Sequence, residues 1–150
     1  MKVLTLTQPW ATLVAIGAKR IETRSWNTNY RGQLAIHAAK GYPKWAHELC
    51  STSPFLECLK DCIKPLPLGV VIATCELIGT HRVDEMDWIP GKRGWSKGSH
   101  FHEASEQEKA FGDYSLGRYM WFLDNVKKLE TPIPAKGALG LWEWEGVTHA

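Results

Sequence analysis

The run Gly69-Val70-Val71-Ile72-Ala73-Thr74-Cys75-Glu76-Leu77-Ile78-Gly79 limits the possible folds more than any other stretch of this chain. So apolar and β-branched a segment, bounded by glycines, reads as a strand covered on both faces, and other elements must supply the cover. Glu76 inside the run is expected at a sheet edge or facing a polar cavity. Further strands follow from alternation. Residues 3–7 open the chain, and residues 33–38 put Leu34, Ile36 and Ala38 on one face with Gln33, Ala35 and His37 on the other. Residues 118–128 separate Tyr119, Trp121 and Leu123 from Met120, Phe122 and Asp124, with Pro132-Ile133-Pro134 as an extended connector and residues 139–144 as a closing strand. With short helices inserted between them, these strands predict an α+β fold built on a curled sheet or small barrel.

Helix signals are local. Thr7 is placed to cap a short helix with Pro9 in its first turn, Trp10, Leu13 and Val14 fall at helical spacing, and Gly17 terminates it. Residues 44–50 and 53–62 read as helices, the second capped by Ser53 with Pro54 behind it. Ser105-Glu106-Gln107-Glu108 is a capping box, in which the Glu108 carboxylate is expected to bind the N–H of the cap residue. Between residues 80 and 104 the periodicity fades. Pro90-Gly91-Lys92-Arg93-Gly94-Trp95-Ser96-Lys97-Gly98 reads as a glycine-hinged basic loop, either a lid or clasp or a solvated insertion.

One domain spanning residues 1–150 suits this length, which is enough to bury a core. The start of the chain has no apolar signal segment and no run is long enough to cross a bilayer, so a cytoplasmic, membrane-free protein is expected, as a monomer. Cys50, Cys58, Cys62 and Cys75 are expected as reduced thiols. The spacings His47-x-x-Cys50, Cys58-x-x-x-Cys62 and His100-x-His102 are thin metal signals, and neither a metal nor another cofactor is expected.

Charge is uneven. The formal total is only +2, which excludes a strongly basic nucleic-acid coat. From residue 1 to 47, however, Lys2, Lys19, Arg20, Arg24, Arg31, Lys40 and Lys44 face Glu22 alone among acids, which predicts a local basic face. Eight tryptophans exceed what a core needs and leave some to stack on bases or close a pocket.

These features concentrate in residues 17–26, Gly-Ala-Lys-Arg-Ile-Glu-Thr-Arg-Ser-Trp. On a strand from Ile21, Arg20, Glu22 and Arg24 share a face, and Lys19 can reach round to it. Such a face is either a surface ladder of little energetic worth or the lining of a cleft for an anionic ligand. In a cleft, Arg24 takes phosphate, Trp10 or Trp26 stacks a base, Glu22 acts as general acid or base, and Lys19 stabilises developing negative charge or, if desolvated, serves as a base or nucleophile. His37 reads first as a satisfied strand histidine and second as a wall of that cleft.

The blocks Gln8-Pro9-Trp10, Gly17-x-Lys19-x-x-Glu22-x-Arg24-x-Trp26, Tyr30-Arg31-Gly32 and Ile36-His37-Ala38 resemble the ASCH domain, named for activating signal cointegrator homology. The resemblance continues through Glu108-x-x-Phe111-Gly112-Asp113-Tyr114, Gly117-Arg118-Tyr119-x-Trp121 and Pro132-Ile133-Pro134-x-Lys136-Gly137 to Leu141-Trp142. It implies a PUA-like β-barrel with short flanking helices and a cleft that binds RNA or a modified nucleotide. Trp10, Arg24, Trp26, Arg31, His37, Tyr114 and Arg118 are then the candidate binding residues, and Lys19, Glu22 and Glu108 the candidate catalytic ones. Small relatives in this family include amidohydrolases acting on an acetylated cytidine through a lysine, a threonine and a glutamate, and others described as ribonucleases. Lys19 and Glu108 match the lysine and glutamate, while Glu22 stands in the threonine's place. A carboxylate there pairs with a lysine cation, which suits anion binding better than free-amine attack. Binding without catalysis, hydrolysis, and a pocket for a modified nucleoside remain the open alternatives.

Overall fold

The structure is a computed structural model that describes residues 1–89, 94–97, 100–103 and 105–146, with the backbone alone from 87 to 103. Its central strand is the long apolar one. β4 (Val70–Arg82) lies between β3 (Gly32–Ala38) and β8 (Tyr119–Pro134), antiparallel to both. β3 pairs in parallel with β1 (Lys2–Leu6), which carries the short edge strand β9 (Leu141–Glu143). On the other side β8 carries β2 (Ile21–Arg24), so the six strands run β2-β8-β4-β3-β1-β9. Irregular registers along β4 and β8 let these long strands bend, and the mixed sheet curls into a half-barrel with a few short helices against it. The expected α+β architecture is present in this form.

The two-sided burial predicted for the central run holds over Val71, Ile72 and Ala73. Beyond them Cys75 and Leu77 stay buried while Ile78 and Glu76 face solvent. Glu76 is not at an edge, since β4 is internal to the sheet; it is exposed and lines a shallow polar hollow of about 20 Å³ with Gln33, Thr74, Asn125 and Lys127. The main core joins Leu4, Leu6, Leu34, Ile36, Leu77, Trp121 and Leu123. A second cluster forms on the reverse side of β8 around Met120, Phe122 and Ile21, as the alternation in β8 requires. β8 also absorbs the proline segment expected as a connector, extending to Pro134.

α1 (Trp10–Ala15) is buried almost all round, because it lies between the sheet and α3 (Phe55–Leu59), with Leu13 meeting Phe55, Leu59 and Phe111. Its start is not capped by Thr7. The Gln8 carboxamide does that work, accepting from the Thr12 N–H at 3.0 Å and donating to Pro67 O at 2.9 Å. α2 (Lys44–Leu49) precedes α3, and the Ser53 hydroxyl bonds the Glu57 carboxylate rather than a backbone N–H.

The region expected as an unstructured loop is instead largely strand. After the 3-10 turn Val83–Glu85, the strands β5 (Asp87–Ile89), β6 (Gly94–Lys97) and β7 (His100–Glu103) form an antiparallel three-stranded sheet. Short strands interrupted by glycine and charge leave little periodicity to read. The basic segment from Pro90 to Arg93 and the side chains of Trp95, Lys97, His100 and His102 lie outside the described residues.

Candidate nucleotide-binding cleft

β2 is an edge strand, and the chain enters it by a fixed route. Gly17 ends α1 with φ +81, a conformation that favours glycine. The Lys19 N–H then donates to Leu13 O at 3.0 Å. This turns the Lys19 side chain inward, where it is wholly buried, donates to Ile21 O and lies 3.6 Å from Glu22 Oε1. Glu22 is held from both sides, since its other oxygen pairs with Arg24 Nη2 at 3.2 Å. Arg24 in turn donates to Thr5 O at 2.8 Å, which fixes its guanidinium against β1.

α4 (Glu106–Ala110) supplies the second buried acid. Ser105 caps it, accepting from the Glu108 N–H at 3.0 Å, as predicted. The reciprocal half of the capping box is absent. The Glu108 carboxylate turns away from the cap and accepts from the backbone N–H groups of Arg20 and Ile21, at 2.8 and 3.0 Å. Burial raises the Glu108 pKa above the ordinary glutamate value, outweighing the opposing pull of Lys19, the two N–H donors and Arg20. Burial likewise pushes the Tyr114 phenol above its usual range, reinforced by the charges of Glu108 and Glu22. Lys19, Glu108 and Tyr114 thus form a polar cluster behind β2, joined through the Lys19 ion pair to Glu22.

In front of β2 is a hollow of about 520 Å³. Glu22, Arg24, Trp26, Trp10, Trp45 and Arg118 line it, with Phe55, Phe111 and Asp113. Trp10 meets Trp45 at 5.9 Å between ring centroids, and Trp45 is 61% exposed. Trp26 stands edge-on to Trp121. The turn after α4 is stitched to β2 by the Asp113 N–H on Thr23 Oγ1, at 3.1 Å, and by Arg118 Nη2 on Thr23 O, at 3.1 Å. Hydrogen bonds from the Ser115 hydroxyl and N–H hold the Asp113 carboxyl below its ordinary pKa, with help from Arg118. The hollow therefore offers indole faces for stacking, two guanidinium groups for anions and a fixed carboxylate for hydrogen-bond donors.

Among the candidate residues, Trp10, Glu22, Arg24, Trp26 and Arg118 line this hollow. Lys19, Glu108 and Tyr114 stand behind its wall. Arg20, expected to share a face with Glu22 and Arg24, is exposed and lies 3.9 Å from Asp124 on the surface. Arg31 is elsewhere, bonded to Thr28 O, Tyr30 O and Thr80 Oγ1. His37 is buried between Thr5 Oγ1 at 3.1 Å and Ala135 O at 2.7 Å, and faces a different hollow. Sequence reasoning missed Trp45 and Asp113. The signal for Trp45 was a tryptophan among Lys44, His47 and Glu48 on a helix whose buried side is Ala46; that for Asp113 was its place in the Phe111-Gly112-Asp113-Tyr114 block of the family resemblance.

Sheet and hollow together define an α+β half-barrel that presents a tryptophan-walled, arginine-bearing recess beside an edge strand. The family model described as ASCH domain matches residues 4–133, and the chain belongs to that family. It is 29% identical to Activating signal cointegrator 1 of Homo sapiens and 28% identical to that of Mus musculus, in each case over 97% of this chain. It spans only 22% of the length of those relatives. Among solved structures, two ZmASCH mutant proteins from Zymomonas mobilis align over 89% of this chain and 74% and 72% of theirs, with TM-scores of 0.48 and 0.47 at 17% and 18% identity.

Proposed function

We propose that this ASCH domain binds RNA, taking an unpaired base of a single strand, or a modified nucleotide, into the hollow in front of β2. One observation carries the reading: Trp10, Trp26 and Trp45 converge with Arg24 and Arg118 on one recess of about 520 Å³, within the range of small-ligand sites. An exposed indole at the mouth of such a recess gives a base a stacking surface, and the arginines give the adjoining phosphate its partners. Glu22, paired with both Lys19 and Arg24, is a fixed acceptor for N–H groups on the bound base.

Titration of a labelled single-stranded RNA against wild type and Trp45→Ala tests this. Loss of one stacking contact costs about 1–3 kcal/mol, so the variant should bind roughly 5- to 150-fold more weakly with its fold intact. Absence of binding by the wild type, or equal binding by both, contradicts the reading.

A hydrolytic reading stands second, as ribonuclease or as amidohydrolase on an acetylated cytidine, and the convergence of Lys19, Glu22 and Glu108 favours it. Glu22 is the member at the wall of the recess. Incubating labelled RNA, and separately acetylated cytidine, with wild type and Lys19→Ala and Glu22→Gln separates the readings. Turnover abolished by both substitutions supports catalysis, and binding without turnover leaves the domain a recognition module.

A further inference from the structure

A second hollow, of about 1010 Å³, lies next to the first. Thr5 lines both. Its carbonyl holds Arg24 on the side of the first, while its hydroxyl accepts from Trp142 Nε1 at 3.0 Å and meets His37 Nδ1 on the side of the second. The two hollows are therefore separated by the width of one strand residue. Their charges differ in kind. In the first, Arg24 and Arg118 are offset by Glu22 and Asp113, each at ion-pair distance. The second is lined by Lys40 and Lys136 with no acid, and among the described residues neither lysine pairs with a carboxylate. Both lysines are exposed.

The floor of this second hollow is rigid. His37 is held through both ring nitrogens, and the 135–139 backbone passes so close that a Cβ on Gly137 would lie 2.8 Å from His37 Cε1. A hollow with a braced floor, two uncompensated ammonium groups and a wall residue, Thr5, shared with the first recess fits a polyanion passing out of that recess.

We infer that the second hollow carries the flanking phosphates of the same nucleic-acid strand, with Lys40 and Lys136 as its phosphate contacts. This rests on the proposal that the first hollow takes a nucleotide. The track passes over Thr5, so a mononucleotide fills the first hollow alone, whereas an oligonucleotide engages both.

The test is the salt dependence of binding for a single-stranded RNA of about ten nucleotides and for a mononucleotide. It compares wild type, Lys40→Gln/Lys136→Gln and a control with two other exposed lysines changed, Lys60→Gln/Lys127→Gln. Each phosphate contact on a single strand contributes about 0.7 to the slope of log K against log salt. The Lys40/Lys136 variant should therefore lose about 1.4 of that slope for the oligonucleotide, with mononucleotide binding unchanged and the control like wild type. An oligonucleotide that binds wild type while its slope is the same in all three proteins overturns the track and leaves the first hollow standing. A wild type that binds neither ligand overturns both.

Discussion

Glu108 accepts a hydrogen bond from the backbone N–H of Ile21 at 3.0 Å, across 87 positions of sequence. Its other oxygen takes the neighbouring N–H of Arg20. One carboxylate thus anchors the start of β2, the strand from which Glu22 and Arg24 reach the cleft. Removing it leaves two backbone donors without partners, one of them buried, and such orphaned groups cost about 1–3 kcal/mol each. Glu108→Ala should lower the unfolding free energy by about 3 kcal/mol in a denaturant titration at neutral pH. A loss below about 0.5 kcal/mol would show that the anchor is dispensable.

The same carboxylate predicts a pH dependence. Its folded pKa is raised above the unfolded one, so between the two values the folded state binds more protons than the unfolded state. The proton-linked part of the Glu108 contribution is then fully present below the unfolded value, 4.5, and is lost as pH rises through the folded value, while the two backbone hydrogen bonds to its carboxylate remain. Unfolding measured from acid to neutral pH should show the advantage of wild type over Glu108→Gln shrinking as pH rises. The exposed carboxyls with lowered pKa, Glu57, Asp84, Asp113 and Glu143, act in the opposite sense, but they are common to both proteins and cancel. An advantage that grows toward neutrality contradicts the assignment.

Lys19 is buried without exposure, and its ammonium faces Ile21 O and Glu22. Breaking a buried ion pair from one side costs about 3–5 kcal/mol. Glu22 keeps Arg24, so Lys19→Met should fall at the lower end, about 3 kcal/mol by denaturant midpoint. The double variant Lys19→Met/Glu22→Gln should be less destabilised than the two single losses added, because the pair is one unit. Strict additivity would show that the two groups do not interact.

Gly137 is required by proximity. A methyl group there meets the His37 ring and lies 3.1 Å from Thr5 Oγ1. Gly137→Ala should cost about 1–3 kcal/mol by overpacking, visible as a lowered Tm, whereas Gly41→Ala, with open space around it, should leave Tm nearly unchanged.

Much of this layout was legible in sequence because strand period and core burial are the same physical fact. Alternation in β3 and β8 separated the residues that now lie in different clusters, such as Trp121 from Met120. Glycine at position 17 marked the end of α1 through its backbone freedom. What was not legible depended on long-range partners. Glu108 carries a complete local explanation as half a capping box, and only the folded chain brings Arg20 and Ile21 to its carboxylate. Thr7 looked like a cap, yet Gln8 is the one that reaches both Thr12 and Pro67. In the site, strand alternation placed Glu22 and Arg24 together but could not say that Arg20 turns out to Asp124 while Lys19 turns in. Trp45 comes to the recess from a helix far along the chain, which no local pattern around β2 could signal.

Photocrosslinking places the ligand most directly. A single-stranded RNA carrying 4-thiouridine, bound to the wild-type protein and irradiated, should attach to peptides containing Trp10, Trp26 or Trp45, and excess unlabelled RNA should suppress the adducts. Adducts confined to the outer surface around Arg20 and Arg31, or none at saturating RNA, would contradict a nucleotide site in the recess beside β2.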